Sequence, residues 1–169
     1  AGLVGVGLFK STDSGLTWNY LSNTSPDLDQ DWRFVNRISV HPTQTNIMLV
    51  GTTNGNNRSA GAVFRTTDGG NTWTKVANFK APDIAFNPLN PSDAVAGRED
   101  GYISYSRDGG VTWTRSDVIV ATPSGRGSTA RIEIAWSRAQ NGLIYASVDN
   151  AKGEVWKSQD GGTTWTKMA

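Results

Sequence analysis

The chain has 169 residues, and its 16 Lys+Arg against 15 Asp+Glu give a formal charge of +1, which excludes a nucleic-acid or anionic-membrane partner held by bulk charge. There is no cysteine, so disulfides, thiolate metal sites and cysteine nucleophiles are excluded, and no run approaches the ~20 apolar residues of a membrane helix. Disorder is excluded as well, because 7 Trp, 5 Phe and 4 Tyr supply ample apolar burial.

In chain order, the apolar opening from Ala1 to Phe9 lacks a basic flank and a cleavage signature and runs straight into a patterned strand, so it reads as mature structure. Strand Leu8-Phe9-Lys10 leads into Ser11-Thr12-Asp13-Ser14-Gly15-Leu16-Thr17-Trp18. A polar stretch, residues 23–33, then precedes Ile38-Ser39-Val40-His41-Pro42, a second short apolar run from Ile47 to Gly51, and strand Val63-Phe64-Arg65. Thr66-Thr67-Asp68-Gly69-Gly70-Asn71-Thr72-Trp73 repeats the first box. The same sequence of events recurs through Ile84-Ala85-Phe86-Asn87-Pro88, Ala94 to Gly97 and Tyr102 to Tyr105, ending in the box Ser106 to Trp113. It recurs again through Ile134-Ala135-Trp136-Ser137-Arg138, Leu143 to Ser147 and Val155-Trp156-Lys157, ending in the box Ser158 to Trp165.

The box aspartates Asp13, Asp68, Asp108 and Asp160 are spaced 55, 40 and 52 residues apart, the mark of a repeat architecture with variable loops. Four short β runs per repeat, divided by Gly/Asn/Asp/Pro turns and without helical periodicity, predict an all-β chain of four-stranded antiparallel propeller blades. The expected division is one partial ring: a half blade at 1–21 and complete blades at 34–79, 83–120 and 131–169. Three and a half blades leave open edges. With the chain opening on Ala1 rather than Met, the missing strands are expected from a longer polypeptide or another copy.

Each box has the form [Ser/Thr]-x-Asp-x-Gly-x-Thr-Trp. The carboxylate and hydroxyl are expected to accept backbone N–H bonds inside a tight turn, and Gly15, Gly70, Gly110 and Gly162 to supply its positive φ. Trp18, Trp73, Trp113 and Trp165 are expected to fold back over their turns and become buried. The four aspartates are thereby structural.

This motif resembles the Asp-box, or bacterial neuraminidase repeat, of sialidases, xyloglucan-cleaving glycoside hydrolases, sortilin-type receptors and photosystem assembly factors. The run Asn87-Pro88-Leu89-Asn90-Pro91-Ser92-Asp93, followed by the Tyr105-to-Trp113 box, is most similar to the xyloglucanase and sortilin-type group. That resemblance implies boxes on the outer rim, away from any active site. It also implies catalytic aspartates drawn from two propellers, so this chain is not expected to be active alone. A secreted or cell-surface location follows from the same resemblance.

Ligands are expected on the face that carries the connections between blades and those joining the second and third strands of each blade. Asp29, Asp31, Trp32, Arg58, Arg98, Glu99, Asp100 and Arg126 fall in those loops. A ring flanked by carboxylates and guanidinium groups suits a sugar, and Trp32, outside every box, is expected to be the exposed stacking residue. Asp29 or Asp31 with Glu99 or Asp100 would be the acid pair of a glycosidase if the loops converge. No catalytic residue is assigned from sequence.

Other chemistries fit less well. Arg37, Arg58, Arg98, Arg126 and Arg131 would suit a sialidase, but its Arg-Ile-Pro motif is missing. Asp27, Asp29 and Asp31 open like a calcium loop, yet Trp32 stands where an EF-hand needs glycine. His41 aligns with Asn87 and Ser137 as a turn residue, and Phe9 stands where a phosphate loop needs glycine. No cofactor or metal is expected. Three functions remain: a glycan- or protein-binding module, a fragment of a xyloglucanase- or sialidase-like hydrolase, and a subunit that self-associates by strand exchange.

Overall fold

A computed structural model describes residues 5–53, 61–119, 131–149 and 153–168. Among these residues the regular structure is β, apart from short 3-10 turns at Ser22–Thr24 and Gln30–Phe34. The first sheet pairs β1 (Leu8–Lys10) with β2 (Asn19–Leu21). The second runs in order β3 (Val35–Val40), β4 (Met48–Thr52), β5 (Val63–Thr66) and β6 (Thr74–Ala77). The third holds β7 (Asp83–Phe86), β8 (Ala94–Gly97), β9 (Tyr102–Ser106) and β10 (Thr114–Ile119). The fourth holds β11 (Ile132–Trp136), β12 (Ile144–Val148), β13 (Glu154–Ser158) and β14 (Thr166–Lys167). All pairings are antiparallel meanders, so the chain is an all-β partial propeller ring whose blades each run from an inner to an outer strand.

The burial pattern follows from where each sheet stands. β4 and β8 are covered on both faces, and their sequences Leu49-Val50-Gly51-Thr52 and Ala94-Val95-Ala96-Gly97 are buried throughout. In β12, Ile144, Ala146 and Val148 are buried while Tyr145 and Ser147 are exposed, because one face of the fourth sheet is open. The sheets meet in three apolar layers. Leu8, Trp32, Val50 and Phe64 join the first sheet to the second. Leu49, Val63, Ile84 and Phe86 join the second to the third, and Val95, Ile103, Ile134 and Ile144 join the third to the fourth.

Glycine stands next to last in β4 and last in β8 for a steric reason. A Cβ on Gly51 would lie 2.5 Å from the Ala81 carbonyl oxygen, and one on Gly97 would lie 2.5 Å from that of Ile132. The strand entering the next blade crosses at that point, so a side chain would push two blades apart.

The boxes close the turns between the two outer strands of each sheet. The hydroxyls of Ser11, Thr66, Ser106 and Ser158 donate to the box aspartates at 2.7–2.8 Å and accept the Gly15, Gly70, Gly110 and Gly162 N–H groups at 2.8–3.1 Å. Thr17, Thr72, Thr112 and Thr164 cap the other carboxylate oxygen at 2.5–2.6 Å. These bonds, led by the Thr17 and Thr72 hydroxyls, hold Asp13 and Asp68 at a pKa of about 2. At Asp108 burial opposes the shift, but the Thr112 and Ser106 bonds outweigh it and the value is again about 2; Asp160 is lowered in the same way.

The box tryptophans do not all reach the core. Trp165 is 6% exposed and donates to Gly162 at 3.0 Å, and half-buried Trp113 donates to Gly110 at 3.2 Å. Trp18 is 62% exposed, contrary to the sequence expectation. Trp73, Trp113 and Trp165 pack in the layer beneath the preceding sheet, whereas among the described residues no sheet precedes Trp18.

Candidate functional site

In each complete sheet the innermost strand starts at one face, together with the loops that lead into it and those that join the second and third strands. The box turns close the opposite face. Most of the loop-face carboxylates expected to meet a ligand are instead held by basic side chains of the same chain.

Asp29 caps the 3-10 turn at Gln30–Phe34, its Oδ1 accepting the Asp31 N–H at 3.0 Å. Lys75, on β6, lies 2.7 Å from Asp29 Oδ2 and 2.9 Å from Asp31 Oδ2. Asp31 Oδ1 accepts the Gly61 N–H at 3.0 Å, and the residue is buried. Burial pulls the Lys75 ammonium down, but hydrogen bonds to Asp29 and Asp31 outweigh it and leave the pKa raised. The ammonium thus stands between the two acids where a cation would otherwise sit. Among the described residues no cluster of three metal-ligating side chains occurs.

The 3-10 turn also swings Trp32 inward, and this corrects the sequence expectation of an exposed ring. Trp32 is 2% exposed, stacks on Phe64 at 4.1 Å and meets Trp73 edge-on at 5.4 Å. It is a core residue that locks the first sheet onto the second, with no surface to offer a sugar.

Arg98, Glu99 and Asp100 come together at the hairpin between β8 and β9. Arg98 Nε donates to Asp100 Oδ1 at 2.9 Å while its guanidinium covers Phe79, and Lys80 pairs with Glu99 at 3.2 Å. This cluster and the Asp29–Asp31–Lys75 cluster are separate: each acid is paired with a base of its own group. Arg58 and Arg126 lie outside the described residues.

Sequence reasoning did not single out the row of charges on the innermost strands. Arg37 on β3, Asp83 on β7 and Glu133 on β11 occupy equivalent places one residue before Ile38, Ile84 and Ile134. Asp83 is 1% exposed and joins three sheets. Its Oδ1 accepts the Ile84 N–H at 2.9 Å and meets Arg37 Nε at 3.1 Å, and its Oδ2 accepts the Ile134 N–H at 2.7 Å. Burial pushes the Asp83 carboxyl up against the opposing pull of the Ile134 N–H and the Arg37 guanidinium. Beside it, Arg131 pairs with Glu133 at 2.8 Å, and both are well exposed. The signal for this row was present in the aligned inner strands, where a charge precedes each isoleucine.

Fold and boxes together define an Asp-box β-propeller segment with a loop face of paired charges. The family model described as Sortilin, neurotensin receptor 3 (Sortilin-Vps10) matches residues 61–169, and the chain belongs to this family. It is also similar to the xyloglucanase of Hypocrea jecorina (strain QM6a), 27% identical over 167 residues that make up 95% of this chain and 16% of that protein. The xyloglucanase Xgh74A of Acetivibrio thermocellus is 27% identical over 165 residues, 94% of this chain and 15% of its own length. Among solved structures, the GH74 enzyme of Niastella koreensis superposes with a TM-score of 0.76 at 23% identity, over 99% of this chain and 27% of that one. YCF48 from Cyanidioschyzon merolae follows the same fold with a TM-score of 0.54 at 19% identity, over 80% of this chain and 37% of that one. The chain spans about a sixth of the length of the curated relatives it matches.

Proposed function

We propose that this chain is a propeller segment of an extracellular glycoside hydrolase of the xyloglucanase kind, and that it supplies part of the surface holding a β-glucan chain. The observation that carries this reading is the similarity to two xyloglucanases along 94–95% of the chain. The loop face supports a holding role over a cleaving one. Asp29, Asp31, Glu99, Asp100 and Glu133 each sit against a basic side chain. An acid–base pair needs one carboxyl poised to give up its proton, and ion pairing opposes that.

The residues assigned to the glycan are those of the inner rim with exposed polar heads: Arg37, Arg131 and Glu133, with Asp100 at the β8–β9 hairpin. Guanidinium and carboxylate groups spaced along neighbouring strands match the hydroxyls of successive sugar rings. Titration with a xyloglucan oligosaccharide, followed by calorimetry, tests the assignment. Arg131→Ala combined with Glu133→Ala should weaken binding at least 10-fold with the melting temperature unchanged. Equal affinity in that double variant would remove the inner rim from the site, and absence of binding to any β-glucan would overturn the reading.

A further inference from the structure

The loop that follows the innermost strand is built alike in the three complete sheets, and in one of them it closes on a group that titrates. The His41 N–H donates to the Ile47 carbonyl at 2.9 Å, that of Asn87 to Asp93 at 2.8 Å and that of Ser137 to Leu143 at 2.9 Å. A second backbone bond closes each loop from within, from Ile47 to Gln44 at 2.9 Å, Asp93 to Asn90 at 2.9 Å and Leu143 to Gln140 at 3.4 Å. The side chain of the first residue then accepts N–H groups from the loop. Asn87 Oδ1 accepts from Leu89 at 3.0 Å, and Ser137 Oγ accepts from Ala139 at 3.2 Å and Gln140 at 3.0 Å. His41, the chain's one histidine, does the same with a ring nitrogen: Nδ1 accepts from Thr43 at 3.3 Å and from Gln44 at 3.1 Å.

Amide and hydroxyl oxygens keep their lone pairs at every ordinary pH, but an imidazole nitrogen does not. Two N–H donors aimed at Nδ1 require it to be bare, which puts the neutral ring's proton on Nε2. Histidine is the side chain whose charge changes between about pH 5 and 8, and the added proton turns Nδ1 from acceptor into donor. Thr43 Oγ1, 3.5 Å from Nδ1, can accept that proton, but the two backbone N–H groups are left without their acceptor. The ring's other neighbour supplies none, because β7 offers only the edge-on Phe86 ring at 5.3 Å. Charged groups of the adjoining turns are committed elsewhere: Asp68 to the Thr66 and Thr72 hydroxyls, Lys10 to the Gly69 carbonyl, and Asp93 to Asn90 and Arg107.

We propose that His41 is a proton-operated latch on the box face: neutral, it holds the loop between β3 and β4 closed, and protonated, it releases it. That loop in turn holds the second box. Asn46 Nδ2 donates to the Thr67 carbonyl at 2.6 Å, and the Asn46 carbonyl accepts the Gly69 N–H at 2.9 Å. Release therefore reaches the turn of Asp68, which also anchors the first sheet, through Lys10 Nζ on the Gly69 carbonyl at 2.8 Å. The matching loops of the third and fourth sheets hold their boxes by the same bond, from the Gly109 N–H to Ser92 at 2.7 Å and from the Gly161 N–H to Gly142 at 2.9 Å. Asn87 and Ser137 stand at their latch positions and do not titrate. The second sheet alone responds to acid in the range where an imidazole charges.

Amide hydrogen exchange of the folded chain, recorded at about pH 7.5 and about pH 5 and corrected for the intrinsic rate, tests the latch. Protection at Gln44, Ile47 and Gly69 should fall at least 10-fold at the lower pH, while Asp93, Gly109, Leu143 and Gly161 keep theirs. His41→Asn installs the acceptor found at position 87 and should hold protection at both pH values. His41→Ser copies position 137 and supplies the same comparison should the first variant fail to fold. The ring-nitrogen NMR shifts should show Nδ1 bare at the upper pH and protonated at the lower. Equal protection at the two pH values in the parent chain overturns the proposal. So does a loss of the same size in His41→Asn, or one shared by the loops at Asn87 and Ser137, since neither could come from the imidazole.

Discussion

Replacing Asp83 with alanine removes a side chain that ties β3, β7 and β11 together. Its two oxygens accept the buried Ile84 and Ile134 N–H groups at 2.9 and 2.7 Å. Each N–H stranded away from water costs about 1–3 kcal/mol, so the pair predicts a loss of about 2–6 kcal/mol. Arg37 is half exposed in the ion pair and adds under about 1 kcal/mol. Asp83→Asn keeps one carbonyl acceptor and should lose about half as much. Urea unfolding followed by tryptophan fluorescence measures both, with the shift expected in the midpoint rather than the slope. A loss below about 1 kcal/mol in Asp83→Ala would refute the reasoning, because it would mean that both N–H groups find other acceptors at no cost.

Trp165→Ala should cost about 3–5 kcal/mol, since the ring is 6% exposed, while Trp18→Ala should cost under about 1 kcal/mol at 62% exposure; equal losses in thermal unfolding would contradict the packing. Gly97→Ala should destabilise by about 1–3 kcal/mol through its 2.5 Å approach to the Ile132 carbonyl, and a neutral result in denaturant titration would show that the blades can separate there. The lowered pKa of about 2 at Asp108 predicts stability that is present above the ordinary carboxylate value of 3.8 and lost as pH falls toward 2. Asp108→Asn should flatten that acid limb in a pH series of melting temperatures, and an unchanged limb would place the acid sensitivity elsewhere. Asp83 acts with the opposite sign: its raised pKa makes ionisation cost stability as pH rises through the interval above 3.8.

What the sequence made legible was local chemistry. The four box turns are closed by residues no more than four apart, so Ser11 with Asp13 and Gly15, or Thr112 with Asp108, could be read from spacing alone. Strand type followed from alternation in the same way. What stayed hidden depends on distant partners. Trp32 reads as a loop aromatic until Phe64 and Trp73 are known to lie beneath it. Asp31 reads as a free acid, yet the ammonium that neutralises it comes from 44 residues away. Exposure of the box tryptophans likewise depends on whether another sheet precedes the box, which no feature of the motif encodes. The inner row of Arg37, Asp83 and Glu133 lies between these cases: its register was legible, but its bridging of three sheets was not.

The proposed function puts sugars at the inner rim of the loop face and not at the boxes. Backbone amide chemical shifts recorded during titration with a xyloglucan oligosaccharide test it directly. Shifts are expected at Arg37, Asp83, Arg98 to Gly101 and Arg131 to Glu133, with the four box turns unmoved. Shifts centred on the box turns, or none up to millimolar oligosaccharide, would contradict it.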